Sequence, residues 1–326
     1  MRIAHENYVV PPQVIDSGMR DWSINVFDAI KNPHNLFLSL VVILSFFAVI
    51  GLYYLFAVSK TGIIFNRKLE RLEPFGHVIL RVALALSFLA SAYFNSFLGP
   101  EISLTSIPLG EVLKPVLYII GSLILLGLFT EIASVIGLII LILTTLIYKD
   151  YIVTYFNYFG ELLVLIFWGS KFMSLDGLLR KANGWVNSIK DWEIPLIRIT
   201  YGISVLYPAI TIKILHPVIM IEIVERYNLT EIRWLFPSDP LLISLGTGAM
   251  QVVVGLAIIF GFATRFNAFL TLILYILSII YFKEAVWPHY ILLALALYLI
   301  INNGGKYSID NWIQNGRIKK LGLKNI

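Results

Sequence analysis

The sequence predicts an all-α integral membrane protein of about nine transmembrane helices: one N-terminal helix followed by two four-helix repeats inserted in the same orientation. Three observations predict it. Of 326 residues, 58% are hydrophobic and 14% charged, with mean hydropathy +0.82, whereas soluble domains run at roughly half apolar and about a quarter charged. Apolar runs of about twenty residues recur, the length that crosses a hydrocarbon core ~30 Å thick at ~1.5 Å per residue. One pattern of four such runs occurs twice.

In chain order, residues 1–35 carry scattered charge and place Ile15, Met19, Trp22, Val26 and Ile30 on one helical face, so they read as an extracytoplasmic interfacial helix ending near Pro33. The spread charge argues against a signal peptide, and the run at 36–58 is longer than a signal core, so it stays as the additional transmembrane helix. Further spans are expected near 76–97, 113–130, 132–148, 152–170, 195–212, 241–262, 266–283 and 286–303. Arg265 interrupts an apolar stretch that is otherwise too long for one span. It marks a tight inner turn and is expected to snorkel to the headgroups. Placing the segments after odd-numbered spans inside collects fourteen cations there against nine outside, with Arg81 and Arg198 near inner span ends. That bias predicts an outside N-terminus and a cytoplasmic C-terminus, with a basic tail at 316–326.

The internal likeness is specific. "GSLILLGLFTEIASVIGLIILIL" from Gly121 resembles "GLAIIFGFATRFNAFLTLILYIL" from Gly255, matching Gly121, Ile124, Gly127 and Thr130 to Gly255, Ile258, Gly261 and Thr264 at one offset. "SLDGLL" from Ser174 matches "SIDNWI" from Ser308 at that same offset. Upstream, "ILRVALALSFL" resembles "LIRITYGISVL" and sets Arg81 opposite Arg198 at an offset smaller by seventeen. A duplication with an insertion accounts for this: repeat one spans 75–185 and repeat two 194–315. The inserted "HPVIMIEIVERYNLTEIRWLFPSDP" lies on the outer surface. Repeats of four spans, an even number, share one orientation and are related by an axis along the membrane normal. Paired glycines six apart, Gly121 with Gly127 and Gly255 with Gly261, allow close helix approach.

Composition also excludes chemistry. There is no cysteine, which removes disulfides, thiolate metal sites and iron–sulfur clusters. His5, His34, His77, His216 and His289 show no ligand spacing, so no metal is expected, and His289 reads as part of an outer aromatic belt with Trp287 and Tyr290. The net charge of +5 follows from membrane orientation, so no nucleic-acid partner is expected. No nucleophile triad or phosphate loop is visible. What remains is intramembrane polarity, which is costly and requires a partner or a purpose. Glu161 sits near the middle of the fifth span, with Asn157 one turn earlier and Tyr158 three residues earlier on the same side. Glu161 is either a proton acceptor or quinone-headgroup ligand, or else a buried pair with Arg81 or Arg198 or a protonated carboxyl bonded to a helix carbonyl. Arg81 and Arg198 are either snorkelling anchors or cationic ligands for a quinone, lipid headgroup or anion. Glu131 and Arg265 occupy equivalent inner turns and are expected to pair.

At these residues the sequence resembles the DoxX family, small four-helix membrane proteins that include the DoxD subunit of archaeal thiosulfate:quinone oxidoreductase. The resemblance lies in Arg198 opening a helix, in Gly261, Thr264 and Arg265 ending a Gly-rich one, and in the closing "NGGKYSIDNW", and the two repeats together cover roughly 75–315. The family's glutamate four residues before the first glycine of the Gly-rich helix is replaced by Gln251 in repeat two and Leu117 in repeat one, and its arginine by Glu131 in repeat one. The resemblance implies a quinone-facing or anchoring subunit of a respiratory redox complex, with quinone as a non-covalent cofactor and other membrane or extracytoplasmic subunits as partners. Gln251 joins Arg81, Arg198, Asn157 and Tyr158 as a quinone- or anion-binding candidate, and Glu161 is the catalytic one. A non-catalytic scaffold for a larger complex is the reading of a different class, and a small-solute transporter is a third, although no broken helix is evident in the sequence.

Overall fold

The capping chemistry of the chain sets where its helices begin. Asp239 accepts from the backbone N–H groups of Leu241 and Leu242, Asn32 from His34 and Ser59 from Gly62, each satisfying a donor that the first helical turn leaves open. Proline follows Asn32 and Asp239 in the first turn, where its missing N–H costs nothing. The computed structural model describes residues 9–170, 172–179, 191–234, 236–282 and 287–320. His5, the end of repeat one at 180–185 and the basic tail beyond residue 320 lie outside the described residues. Over the described residues the helices are α1 (Pro12–Gly18), α2 (Pro33–Ala57), α3 (Lys60–Glu70), α4 (Glu73–Tyr93), α5 (Gly110–Leu126), α6 (Thr130–Tyr148), α7 (Asn157–Trp168), α8 (Leu175–Leu179), α9 (Glu193–Pro208), α10 (Pro217–Arg226), α11 (Pro240–Phe260), α12 (Thr264–Phe282), α13 (Trp287–Asn302) and α14 (Ile309–Lys320). The described residues contain no named strand, only an isolated bridge between Ser96 and Ser103.

Among the described residues, six helices are long and apolar enough to cross a membrane: α2, α4, α6 with its extension to Tyr155, α9 with its extension to Ile214, α11 and α12. These fit a multi-pass protein in a lipid bilayer. The remaining expected spans fall on α5, α7 and α13, of 17, 12 and 16 residues. The span expected at 152–170 is not one continuous helix. Lys149 takes φ +53°, residues Lys149–Tyr155 form a 3-10 turn, and α7 begins only at Asn157. Twelve residues rise only ~18 Å, short of the ~30 Å core. A second break follows Pro208, where α9 widens into a π-helical stretch, Ala209–Ile214. Proline cannot donate to the carbonyl one turn back, so the ladder shifts there. Neither break was visible as apolar periodicity.

The single interfacial helix expected before Pro33 is two pieces, α1 and a 3-10 turn at Val26–Lys31. Between them the Ser23 amide donates to Asp21, a local bond that competes with helix continuation. Ile15 and Val26 are buried within the protein while Trp22 is exposed, its ring lying 4.4 Å from that of His216. Ile15 packs with Val9, Ile219, Met220, Ile223 and Val224 of α10 in a small apolar cluster of its own, beneath which Ile212 and Ile243 belong to α9's extension and α11.

The main core joins α4, α5, α6, α7, α9, α11, α12 and α13 around Leu84, Phe88, Tyr158, Tyr201, Tyr298 and Leu299. The α9–α11 contact is close because both sides are glycine. A Cβ on Gly202 would sit 2.8 Å from the Gly255 carbonyl oxygen, and one on Gly255 would sit 3.1 Å from that of Gly202. Helix α2 stands apart, with 6% of its apolar window buried. Polar bonds hold it at two points: Asn35 Nδ2 donates to Asp239, and the Tyr54 hydroxyl donates to Asp310.

Candidate functional site

Two polar constellations lie inside the apolar bundle. The first is a closure built from an arginine, a glycine and an aspartate, and it occurs twice. Asp176 accepts from the amides of Phe129 and Thr130 while its own N–H donates to the Gly127 carbonyl. Asp310 accepts from Ala263 and Thr264 while its N–H donates to Gly261. The aspartate, the glycine and both capped residues of one set lie 134 positions from their counterparts in the other, and the arginines lie closer by the same seventeen positions seen in the sequence. The aspartates cap α6 and α12 from a distance, filling the role an N-cap residue normally fills locally. Gly127 and Gly261 both take φ +65°, and a Cβ on either would strike an arginine Nη1, that of Arg81 at 2.7 Å or that of Arg198 at 1.8 Å.

Arg81 and Arg198 are therefore not snorkelling anchors. Both are buried, and both close a loop. Arg81 donates to the carbonyls of Phe172 and Met173, and Arg198 to those of Gly304 and Tyr307. Arg265 is likewise buried instead of reaching the headgroups, and it donates to the carbonyls of Ile300 and Ile301 and to Asn66 of α3. The last carbonyls of α13 lack intrahelical partners, and a cation satisfies them. The expected pairing of Arg265 with Glu131 does not form: a Cβ on Gly169 would meet Glu131 Oε1 at 2.5 Å, which places that carboxylate beside Gly169 at the end of α7.

The second constellation surrounds Glu161, which is 1% exposed. Asn157 donates from Nδ2 to Glu161 Oε1 at 3.1 Å, and Oε2 has no hydrogen-bond partner. The alternative pairing with Arg81 or Arg198 does not form: their Nη atoms donate to loop carbonyls and their Nε atoms have no hydrogen-bond partner. Asn157 is itself held by Ser204 of α9: its amide N–H donates to Ser204 Oγ at 2.7 Å and its Oδ1 accepts from that hydroxyl at 3.2 Å. Gly160 allows this approach, since a Cβ there would sit 2.0 Å from Thr200 Oγ1. The Tyr158 hydroxyl shares a 2.5 Å hydrogen bond with Ser87 of α4. Asn157, Tyr158, Ser204 and Gln251 line a cavity of about 120 Å³ together with Tyr155, Tyr275, Pro208, Lys213 and His289. Gln251 Oε1 faces no hydrogen-bond partner.

Of the candidates read from the sequence, the structure brings Asn157, Tyr158 and Gln251 to one cavity and sets Glu161 one turn behind Asn157. Arg81, Arg198, Arg265 and Glu131 do not line it. Sequence reasoning missed Ser204 and Tyr275, which look like ordinary span residues, and Asp176 and Asp310, whose partners lie 46 or 47 residues away. The doubled "S-x-D" was the only signal for the latter. Among the described residues no group of His, Asp or Glu is placed to hold a metal ion. The arrangement offers amide and hydroxyl groups and aromatic walls around a space far below the roughly 300–1,000 Å³ of a drug-sized site, with the Glu161 carboxyl behind Asn157 and not on its lining. It admits a single ring or a few waters.

The chain matches no family model, no curated protein and no solved structure.

Proposed function

We propose that this chain is a DoxX/DoxD-like membrane subunit, the quinone-facing or anchoring component of a redox complex of the thiosulfate:quinone oxidoreductase type. In this reading it has nine spans, α2 plus two four-helix units covering 75–185 and 194–315, with the N-terminus outside and the C-terminal tail in the cytoplasm. The doubled glycine–aspartate closure supports the duplication, because unrelated helix pairs have no reason to repeat the same bonds at one spacing. α5, α7 and α13 complete the units as short spans.

The observation that carries the functional part is the Glu161 carboxyl: buried, bonded on one oxygen only, and one helical turn behind a ring-sized cavity lined by Asn157, Ser204 and Gln251. Quinol oxidation needs a group that accepts protons and polar groups that hold the ring oxygens. Glu161 takes the first role. The Gln251 amide and the Asn157–Ser204 pair take the second. An isoprenoid tail does not fit the cavity and would run between helices toward lipid.

Gentle purification from the native membrane followed by solvent extraction tests this. Stoichiometric quinone that is lost in Glu161→Gln, with melting temperature unchanged, supports the reading. A quinone-free preparation with a constant set of partner polypeptides supports the scaffold instead. One observation favours that second reading: Arg81 and Arg198, the strongest cationic candidates, donate to loop carbonyls and do not line the cavity. The broken helices at Asn157 and Pro208 favour a transporter, and solute uptake into vesicles that stops in Asn157→Ala without any bound quinone distinguishes it.

A further inference from the structure

The break in the fifth span sets one hydroxyl between the cavity and a loop at the bundle's end. Tyr155, the last residue of the 3-10 turn, lines the cavity and donates its hydroxyl to Glu101 Oε1. Tyr151, four residues earlier, donates to that same oxygen at 2.5 Å but does not line the cavity. Tyr148 lies within electrostatic reach of the same carboxylate. Glu101 belongs to the loop between α4 and α5, at the end of α4 away from Arg81. That loop folds into the core, with Phe97, Leu98, Ile102 and Leu104 at most 1% exposed, whereas Glu101 stays partly exposed beside exposed Pro100, Thr105 and Ser106. Across the cavity, Asn157 donates to Glu161, and Tyr158 lies within electrostatic reach of both Glu161 and Glu101.

We infer that Tyr155 and Glu101 form a proton relay that joins the cavity, and through it Glu161, to the aqueous phase at the α4–α5 loop. The transfer balances at each atom. As the Tyr155 hydroxyl gives its proton to Glu101 Oε1, it takes one from a water in the cavity, so the phenol carries no charge before or after, and Glu101 releases the proton to bulk water. Every step runs equally in reverse. Glu161 meets the cavity water by rotating past Asn157, whose single bond to Oε1 is the hydrogen bond that holds this carboxyl. A carboxylate serving only to anchor the loop would need Tyr151 as much as Tyr155, and this separates the relay from a structural role. The inference deepens the proposed function: it rests on Glu161 as the proton acceptor and holds with or without quinone.

Infrared spectra of the purified full chain, moved from water into heavy water, test it. The carboxylic C=O band that disappears in Glu161→Gln marks the protonated Glu161, and its shift on deuteration times the exchange. Tyr155→Phe and Glu101→Gln are expected to slow that exchange about tenfold or more, while Tyr151→Phe, which deletes the other bond to Glu101, keeps the parent rate. Should Tyr155→Phe fail to fold, Glu101→Gln against Tyr151→Phe makes the same comparison. Equal rates in all variants overturn the inference. Equal slowing in Tyr151→Phe overturns it too and leaves Glu101 a loop anchor. So does the lack of any band lost in Glu161→Gln at every pH where the chain stays folded, because a carboxyl that never holds a proton ends no relay. Quinone extracted from the same samples separates the two readings. The expected exchange pattern without quinone removes the quinone site and keeps the relay, whereas bound quinone with exchange indifferent to Tyr155 and Glu101 does the reverse.

Discussion

Gly261 is the residue where backbone and side-chain constraints meet most tightly. Its φ of +65° lies where an L side chain costs ~1–2 kcal/mol, and the Cβ it lacks would fall 1.8 Å from Arg198 Nη1. Gly261→Ala is therefore expected to destabilise by more than the backbone cost alone, read as a lowered melting temperature in detergent. Gly127→Ala should cost less, because the nearest guanidinium nitrogen there is 2.7 Å away. Arg198→Lys is the second residue-scale prediction. The fork spans two carbonyls, of Gly304 and Tyr307, and an ammonium on a flexible stem cannot hold that spacing. A loss of about 1–3 kcal/mol is expected in the same assay, and a variant as stable as the original would show that the closure contributes nothing.

At the scale of elements, the protein caps helices with residues remote in sequence and fastens α2 by a few polar bonds. Asp310 holds two amides of the α12 start, so Asp310→Ala is expected to lose at least the ~1 kcal/mol of an ordinary cap. Tyr54→Phe removes one hydroxyl that both donates to Asp310 and accepts from Ala263. Because Ala263 keeps its bond to Asp310, the bundle should melt almost as before while α2 loosens by about 1 kcal/mol. A short thiol cross-linker between Phe46→Cys and Phe266→Cys reads this directly, in a chain with no other cysteine. An undiminished cross-link yield in Tyr54→Phe would mean that ring contacts alone hold the helix.

For the whole molecule, the orientation predicted from the charge bias is open to the same labelling chemistry. Ser23→Cys should react with a membrane-impermeant maleimide in intact cells, and Trp312→Cys, whose parent side chain is exposed, only after permeabilisation. The reverse pattern would invert the topology. Helix content, the positions of the six helices long enough to span and the matched stretches were legible in the sequence, because each depends on local hydropathy or on direct likeness between two stretches of chain. The broken fifth span was not. No charged residue stands between Asp150 and Glu161, so hydropathy does not separate the 3-10 turn at Lys149–Tyr155 from α7.

The sequence by itself determined that this is an all-helical chain suited to a bilayer, because transfer of apolar side chains out of water is summed residue by residue and needs no knowledge of neighbours. It also singled out Glu161 as an ionisable group that lipid would not tolerate, with Asn157 and Tyr158 on the same side of its helix. Only the tertiary structure decided what those groups and the arginines do. Hydrogen bonds are directional and reach only about 3 Å, so whether Arg198 meets a carboxylate or two loop carbonyls depends on how a segment more than one hundred residues away folds back onto it.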